Sequence, residues 1–450
     1  MSVTQYYKKR VNAWKIVAVI LAVAAIIGLS IALILTARQN RRQRDIIKNA
    51  YERSFYELSD AANNLEMSLS KLLVSYDDAH SAVLAAEVYG HSGNALSAMS
   101  RLPLTRVNAA DAEKFFNQVA DFCASFEKCI AYGGDPSSYR ERVEDLYIAA
   151  RTVNRRVLDE GAALAGDGYS VEKVMQKWNA EQPFTVSGDG GGDTSHNSVE
   201  YPELIYDGPF SDGLANREFK FLKDLPEIPC DAAIEFVKTG LPFSVSAVQK
   251  IGDCANASNA YELTAQTDAG EVYCSVSKNG GRLMNLSVYK NVAGVKIGGD
   301  EAKARAVRYA AAFGYDVAPV WYNAIDGVAI INLAHVSGGA VYYTDLVKVR
   351  VALDDGSLCG FDAGEYCMNH TDRTYEPVLT PDEATASVAK NLSVLSVRLA
   401  VVPDGRSERL CYEIAADYKG LDYFIYVDSR DGREVNIMRV IDEDQGSMVI

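Results

Sequence analysis

The period of the apolar positions changes twice along this 450-residue chain. Ile47, Tyr51, Phe55, Leu58, Ala62, Leu65, Leu69, Leu72 and Tyr76 recur at spacings of four and three. Phe115, Val119, Phe122, Phe126 and Ile130 continue the rhythm, as do Tyr139, Val143, Leu146, Ala150, Val153 and Val157. A stripe with a period of about 3.5 residues predicts long helices packed at shallow angles, as a bundle or coiled coil. Pro103 and the YGGDP stretch at 132–136 interrupt it, so inter-helix turns are expected there.

Ahead of the stripes, Ile16 to Ala37 is an apolar run of 22 residues without a charge. At about 1.5 Å per residue it is ~33 Å long as a helix, which matches a hydrocarbon core and exceeds a signal-peptide h-region. The sequence therefore predicts one uncleaved transmembrane anchor. Lys8, Lys9, Arg10 and Lys15 precede it and Arg38, Arg41, Arg42 and Arg44 follow, so positive charge alone leaves the orientation open.

Beyond residue 229 the period shortens toward two. Segments such as YELTAQT, EVYCSVS, VAIINLAHV, VYYTDLVKVRVAL, LCYEIAAD and YFIYVD read as strands, with hairpin turns at Asn279-Gly280, Asp355-Gly356 and Asp431-Gly432. Amphipathic helical runs begin near Pro229, Gly299 and Thr380, and their acidic marks Asp231, Asp300 and Asp382 lie 69 and 82 residues apart. Thr380, Pro381 and Glu383 form a capping-box signature. The expected fold class is α+β and multidomain: a transmembrane helix, a helical bundle or coiled-coil region, then three small helix-plus-antiparallel-sheet modules. The boundaries implied are a basic head at 1–15, the anchor at 16–37 and a helical domain at 40–183. A flexible linker follows at 184–200, then a rigid segment at 201–228 and modules at 229–296, 297–370 and 378–442.

Charge narrows the function. Residues 1–50 hold nine Lys/Arg and one Asp, while the rest holds 36 basic and 59 acidic side chains. That acidic bulk repels a phosphate backbone, which argues against nucleic-acid binding. The eight cysteines contain no C-x-x-C pair, so no zinc site is expected and most are read as small buried hydrophobes. The sequence contains no G-x-S-x-G, H-E-x-x-H or phosphate-loop motif. His335 lies in an alternating strand and reads as a surface or satisfied core residue. Asp300/Glu301 and Asp382/Glu383 read as helix starts, where acidic groups suit the positive dipole end. No catalytic, cofactor or metal residue is singled out, and a non-enzyme is expected.

RLPLT at 101–105, YPELIYDGPFSDG at 201–213 and YVDSRDGREVNI at 426–437 resemble the YpeB family of spore-germination proteins, whose C-terminal part is built of PepSY-type modules. The resemblance covers essentially the whole chain. It implies a non-catalytic protein of the inner spore membrane, with its bulk outside the cytoplasm, that anchors, stabilises and restrains a SleB-type cortex-lytic enzyme. Self-association through the heptad-patterned helices is also expected. Two rival readings are a membrane-anchored sensor ectodomain and a cell-wall hydrolase in its own right.

The segment YDGPFSD offers the candidate partner interface: Tyr206, Asp207, Gly208, Pro209, Phe210, Ser211 and Asp212. Gly208 permits unusual backbone angles, Pro209 fixes the next φ, and the aspartates can bond their own backbone as turn residues do. Phe210 reads either as a plug under the first module or as an anchor presented to a partner. The preceding VSGDGGGDTSHNS, at 186–198, has the composition of a flexible tether.

Overall fold

The computed structural model describes residues 3–104, 106–165, 170–181, 218–254, 259–404, 407–443 and 446–449. The tether at 184–200 and the segment Tyr206–Asp212 lie outside the described residues. The chain divides into two compact units, and residues 70–84 belong with the C-terminal one.

The N-terminal unit is helical: α1 (Val3–Val74), α2 (Asp78–Met99), α3 (Arg106–Ala131), α4 (Ser137–Ala165) and α5 (Val171–Glu181). The breaks fall around Pro103 and at 132–136, as the interrupted stripes predict. Phe55, Leu58, Ala62, Leu65 and Leu69 of α1 are buried, as are Phe115, Val119, Phe122 and Phe126 of α3 and Val143, Ala150, Val153 and Val157 of α4. Aromatic contacts fix the packing: Phe126 stacks on Tyr139 at 5.5 Å, and Trp178 of α5 meets Phe55 at 5.8 Å.

The transmembrane helix expected over 16–37 is not borne out. Among the described residues, no helix is long and apolar enough to cross a membrane. The apolar run is not set off as an element of its own, because α1 continues unbroken through the basic stretch at 38–44 and on to Val74.

In the C-terminal unit, α6 (Cys230–Gly240) precedes β1 (Val245–Cys254), β2 (Ala260–Thr267), β3 (Gly270–Ser277) and β4 (Leu283–Val288). Then α7 (Gly299–Ala312) precedes β5 (Ala318–Ile325), β6 (Val328–Ser337), β7 (Ala340–Ala352) and β8 (Leu358–Asp362). After α8 (Gly364–Asn369) come α9 (Pro381–Ser387), β9 (Ser393–Asp404), β10 (Ser407–Tyr418), β11 (Leu421–Asp428), β12 (Glu434–Glu443) and β13 (Gly446–Val449). The hairpin at Asn279-Gly280 needs glycine: Gly280 has φ +76, and a Cβ there would lie 2.4 Å from Leu225 Cδ1. At Thr380 the capping box is present in full.

The expectation of three small modules, each with its own sheet, is corrected. Among the described residues the strands form one 13-stranded sheet, in the order β1-β2-β3-β4-β8-β7-β6-β5-β13-β12-β11-β10-β9. Every pairing in that order is antiparallel, while β9 also pairs in parallel with β7 through Leu399–Val401 and Ala340–Tyr342. This second pairing closes β5–β7 and β9–β13 into a ring.

The physical reason for the merger lies in one row of side chains. Cys274, Leu286, Phe361, Val349 and Ile331 sit directly opposite one another on successive strands, and all five are buried. Parting β4 from β8 would expose that row, and each fully buried residue of this size contributes about 1.5–3 kcal/mol. Ala302, Ala306 and Ala310 of α7 pack in the same core; their small side chains let the helix lie close against the strands. A second core, including Ala334, Tyr343, Leu346, Val402, Tyr426 and Met438, holds the ring.

Candidate functional site

The chemically richest part of the sheet unit is a polar cluster centred on Asp345. This carboxylate, on β7, has no exposed surface; it lies in a continuously buried stretch where the register against β6 shifts between Tyr342 and Leu346. Arg373, in the segment after α8, donates from Nη2 to Asp345 Oδ1 at 2.7 Å and from Nη1 to Oδ2 at 2.9 Å. His370 Nδ1 approaches Oδ2 at 2.8 Å, and the Thr344 hydroxyl lies 2.9 Å from Oδ1.

The same guanidinium reaches β10. Arg373 Nη2 donates to Glu408 Oε2 at 2.7 Å, and its Nε donates to Glu408 Oε1. Tyr375 donates to Glu408 Oε1 at 2.7 Å, and Arg373 lies over the Tyr342 ring at 4.8 Å. Burial alone pushes both carboxyls up. The bonds from His370 and Arg373 outweigh it and hold Asp345 below the usual carboxylate range; those from Arg373 and Tyr375 do the same for Glu408. Burial would likewise lower Arg373, but Asp345 and Glu408 hold it well above its ordinary value.

Glu413 and Glu434 are buried as well, as are Asp428 and Glu160. Inside the ring, Glu413 accepts from Tyr343 at 2.5 Å, from Tyr426 at 3.0 Å and from Arg398 Nε at 2.6 Å. Trp321 stacks on Tyr343 at 4.8 Å, nearly parallel. Glu434, which opens β12, accepts from the Ser75 hydroxyl at 2.7 Å and from the Tyr76 backbone N–H at 3.1 Å, with His80 Nδ1 beside it. Tyr76 donates its hydroxyl to Gly432 O at 2.7 Å.

A fourth group surrounds Phe221, in the 3-10 turn Lys220–Leu222. Tyr366 and His370 of the α8 region lie 5.2 and 5.4 Å from its ring centre, and Arg282 lies over it at 5.6 Å. Tyr366 stacks on His370 at 4.2 Å, and His335 meets His370 edge-on at 4.7 Å.

The arrangement binds charge more readily than it moves protons. Asp345, Glu408 and Glu413 are each engaged by an arginine. All eight cysteines are free, and burial pushes the thiols of Cys123, Cys274 and Cys367 up to about 12, so they stay protonated near neutrality. Among the described residues, no group of three His, Cys, Asp or Glu could hold a metal ion.

His335, read from sequence as a surface or satisfied core residue, is half-buried, and its Nδ1 lies 3.2 Å from Asp316 O. Asp300 and Glu301 occupy the first turn of α7, and Asp382 and Glu383 that of α9, as expected. Asp345, His370, Arg373 and Glu408 were not singled out. The local signal was an MNHTDRT stretch between strand patterns, where His370 and Arg373 stand three apart. Nothing in it names partners 25 to 35 residues away.

Comparison with known proteins identifies the lineage. A family model described as YpeB N-terminal matches residues 39–168, and one described as YpeB sporulation, PepSY1 and PepSY2 domains, matches 193–376. The chain belongs to the YpeB family of sporulation proteins. It is 24% identical over 408 residues to sporulation protein YpeB of Oceanobacillus iheyensis, covering 86% of this chain and 88% of that one. To sporulation protein YpeB of Bacillus subtilis it is 21% identical over 421 residues, with 87% and 90% covered. The Bacillus megaterium YpeB C-terminal domain is a solved structure of TM-score 0.44 and 21% identity, covering 48% of this chain and 99% of that one. The PepSY match takes in α6 to α8 and ends just past Arg373. The Asp345 cluster therefore spans its border, since Glu408 lies beyond it.

Proposed function

We propose that this YpeB-family protein is non-catalytic and stabilises, and in the dormant spore restrains, a SleB-type cortex-lytic enzyme active on peptidoglycan during germination. The observation that carries this reading is the pair of YpeB family matches at 39–168 and 193–376. A partner that binds only the folded enzyme lowers the enzyme's unfolded population by mass action, by about 2.7 kcal/mol at a hundredfold excess over Kd. Loss of the partner exposes the enzyme to proteolysis without touching its synthesis.

Deleting the gene tests this. Dormant spores should lose the SleB-type enzyme while its transcript is unchanged, and cortex breakdown should slow. Normal enzyme levels in the deletion would sink the partnership. Within the same proposal, Tyr206–Asp212 is the contact surface, with Phe210 as its anchor. Phe210→Ala should then leave this protein at its normal level and deplete the enzyme. Joint loss of both proteins would instead assign Phe210 a role in this protein's own folding.

A further inference from the structure

Arg282, which leads into β4, is a side chain of the Phe221 group whose chemistry is unspent. Its Nε is buried and has no hydrogen-bond partner. Among the described residues its guanidinium makes no ion pair. It rests on the Phe221 ring, and a Cβ on Gly314 would come within 2.2 Å of its Nη1, so it lies against backbone that only glycine leaves open, at φ +87. Gly314 ends the C-terminal turn of α7, whose negative dipole end favours a cation. Ring and dipole offset part of the charge, but neither offers the N–H groups a fixed acceptor. A buried donor left without one is costly.

The neighbours suggest what completes it. The Tyr366 hydroxyl makes no hydrogen bond among the described residues, and its ring shares the Phe221 face group with Arg282. His370 lies against both Phe221 and Tyr366, and His335 meets His370; each histidine has its Nδ1 already engaged. We propose that Arg282 and Tyr366 form a carboxylate-binding site, walled by Phe221 and His370. A planar monoanion suits it. One guanidinium fork matches a carboxylate in two parallel bonds, whereas a dianion would face Asp345 and Asp316 nearby with only a single positive charge to meet it. The carboxylate belongs to a separate molecule.

Thermal unfolding of the full chain tests the site, with sodium N-acetylglycine as probe, N-acetylglycinamide as neutral control and ionic strength held constant. The expected result is a rise in Tm of about 2 °C or more with the carboxylate alone. Arg282→Gln should abolish the rise, Tyr366→Phe should weaken it, and Arg282→Lys, which keeps the charge but not the fork, should reduce it several-fold. No response in wild type overturns the proposal, as does an unchanged response in Arg282→Gln. It is also overturned if Asp316→Asn and Arg282→Gln lower Tm equally, singly and together, since Arg282 would then be paired with Asp316 already.

Discussion

Arg373 grips Asp345 through both arms of its guanidinium, at 2.7 and 2.9 Å, across 28 residues of sequence. The same side chain holds Glu408 of β10, so one arginine ties β7, the segment after α8, and β10 together. Removing it would leave a carboxylate with no exposed surface held only by His370 and Thr344. Arg373→Gln is expected to cost about 3–5 kcal/mol in urea unfolding, and Asp345→Asn/Arg373→Gln less than the sum of the single changes. A cost below about 1 kcal/mol for Arg373→Gln would show that the pair contributes little.

The cluster also sets an acid limit. Asp345, Glu408 and Asp428 all have carboxyls held below their ordinary values despite burial, by His370 and Arg373, by Arg373 and Tyr375, and by Arg430 and Arg409 respectively. Such groups add stability above the ordinary carboxylate pKa and lose it as pH falls through the lowered folded value. Urea midpoints should therefore be flat from neutrality to about pH 5 and fall steeply below about pH 4. Arg373→Gln should flatten that fall. An unchanged slope in the variant would place the acid sensitivity elsewhere.

Continuity of the sheet predicts shared protection. Amides of β4 and β8 should exchange as slowly as those of β7, because one buried row crosses all three strands. Leu286→Ala, at a site 1% exposed, should cost about 2–5 kcal/mol and speed exchange in β8 as well as β4. Faster exchange confined to β1–β4 would mean that the first four strands unfold on their own.

The cap on α9 has a separable effect. Thr380 accepts from the Glu383 N–H, and the Glu383 carboxylate accepts from the Thr380 N–H at 2.8 Å. Thr380→Ala should cost about 0.5–2 kcal/mol, and Thr380→Ser nearly nothing. Equal losses in the two variants would assign the effect to the lost methyl group.

Local pattern determined much of this protein from sequence alone. The 3.5-residue stripes mark the buried faces of α1, α3 and α4; Thr380 and Glu383 mark the start of α9; the Asn279-Gly280, Asp355-Gly356 and Asp431-Gly432 pairs mark hairpins. The strands legible as alternating or continuously apolar, β2, β3, β6, β7, β10 and β11 among them, are those with buried faces. The first strand of each set, β1, β5 and β9, went unread. Most of β1 and the first half of β9 are exposed or half-buried, and register shifts in both break the alternation that makes a strand visible.

Tertiary structure alone decided which strands meet. A period of two says which face of a strand is buried, not which neighbour supplies its hydrogen bonds, so the joins of β4 to β8 and of β7 to β9 leave no local trace. The Asp345–Arg373–Glu408 cluster is hidden for the same reason. Its residue types are common on any surface, and only the fold brings one arginine between two carboxylates and takes the water away.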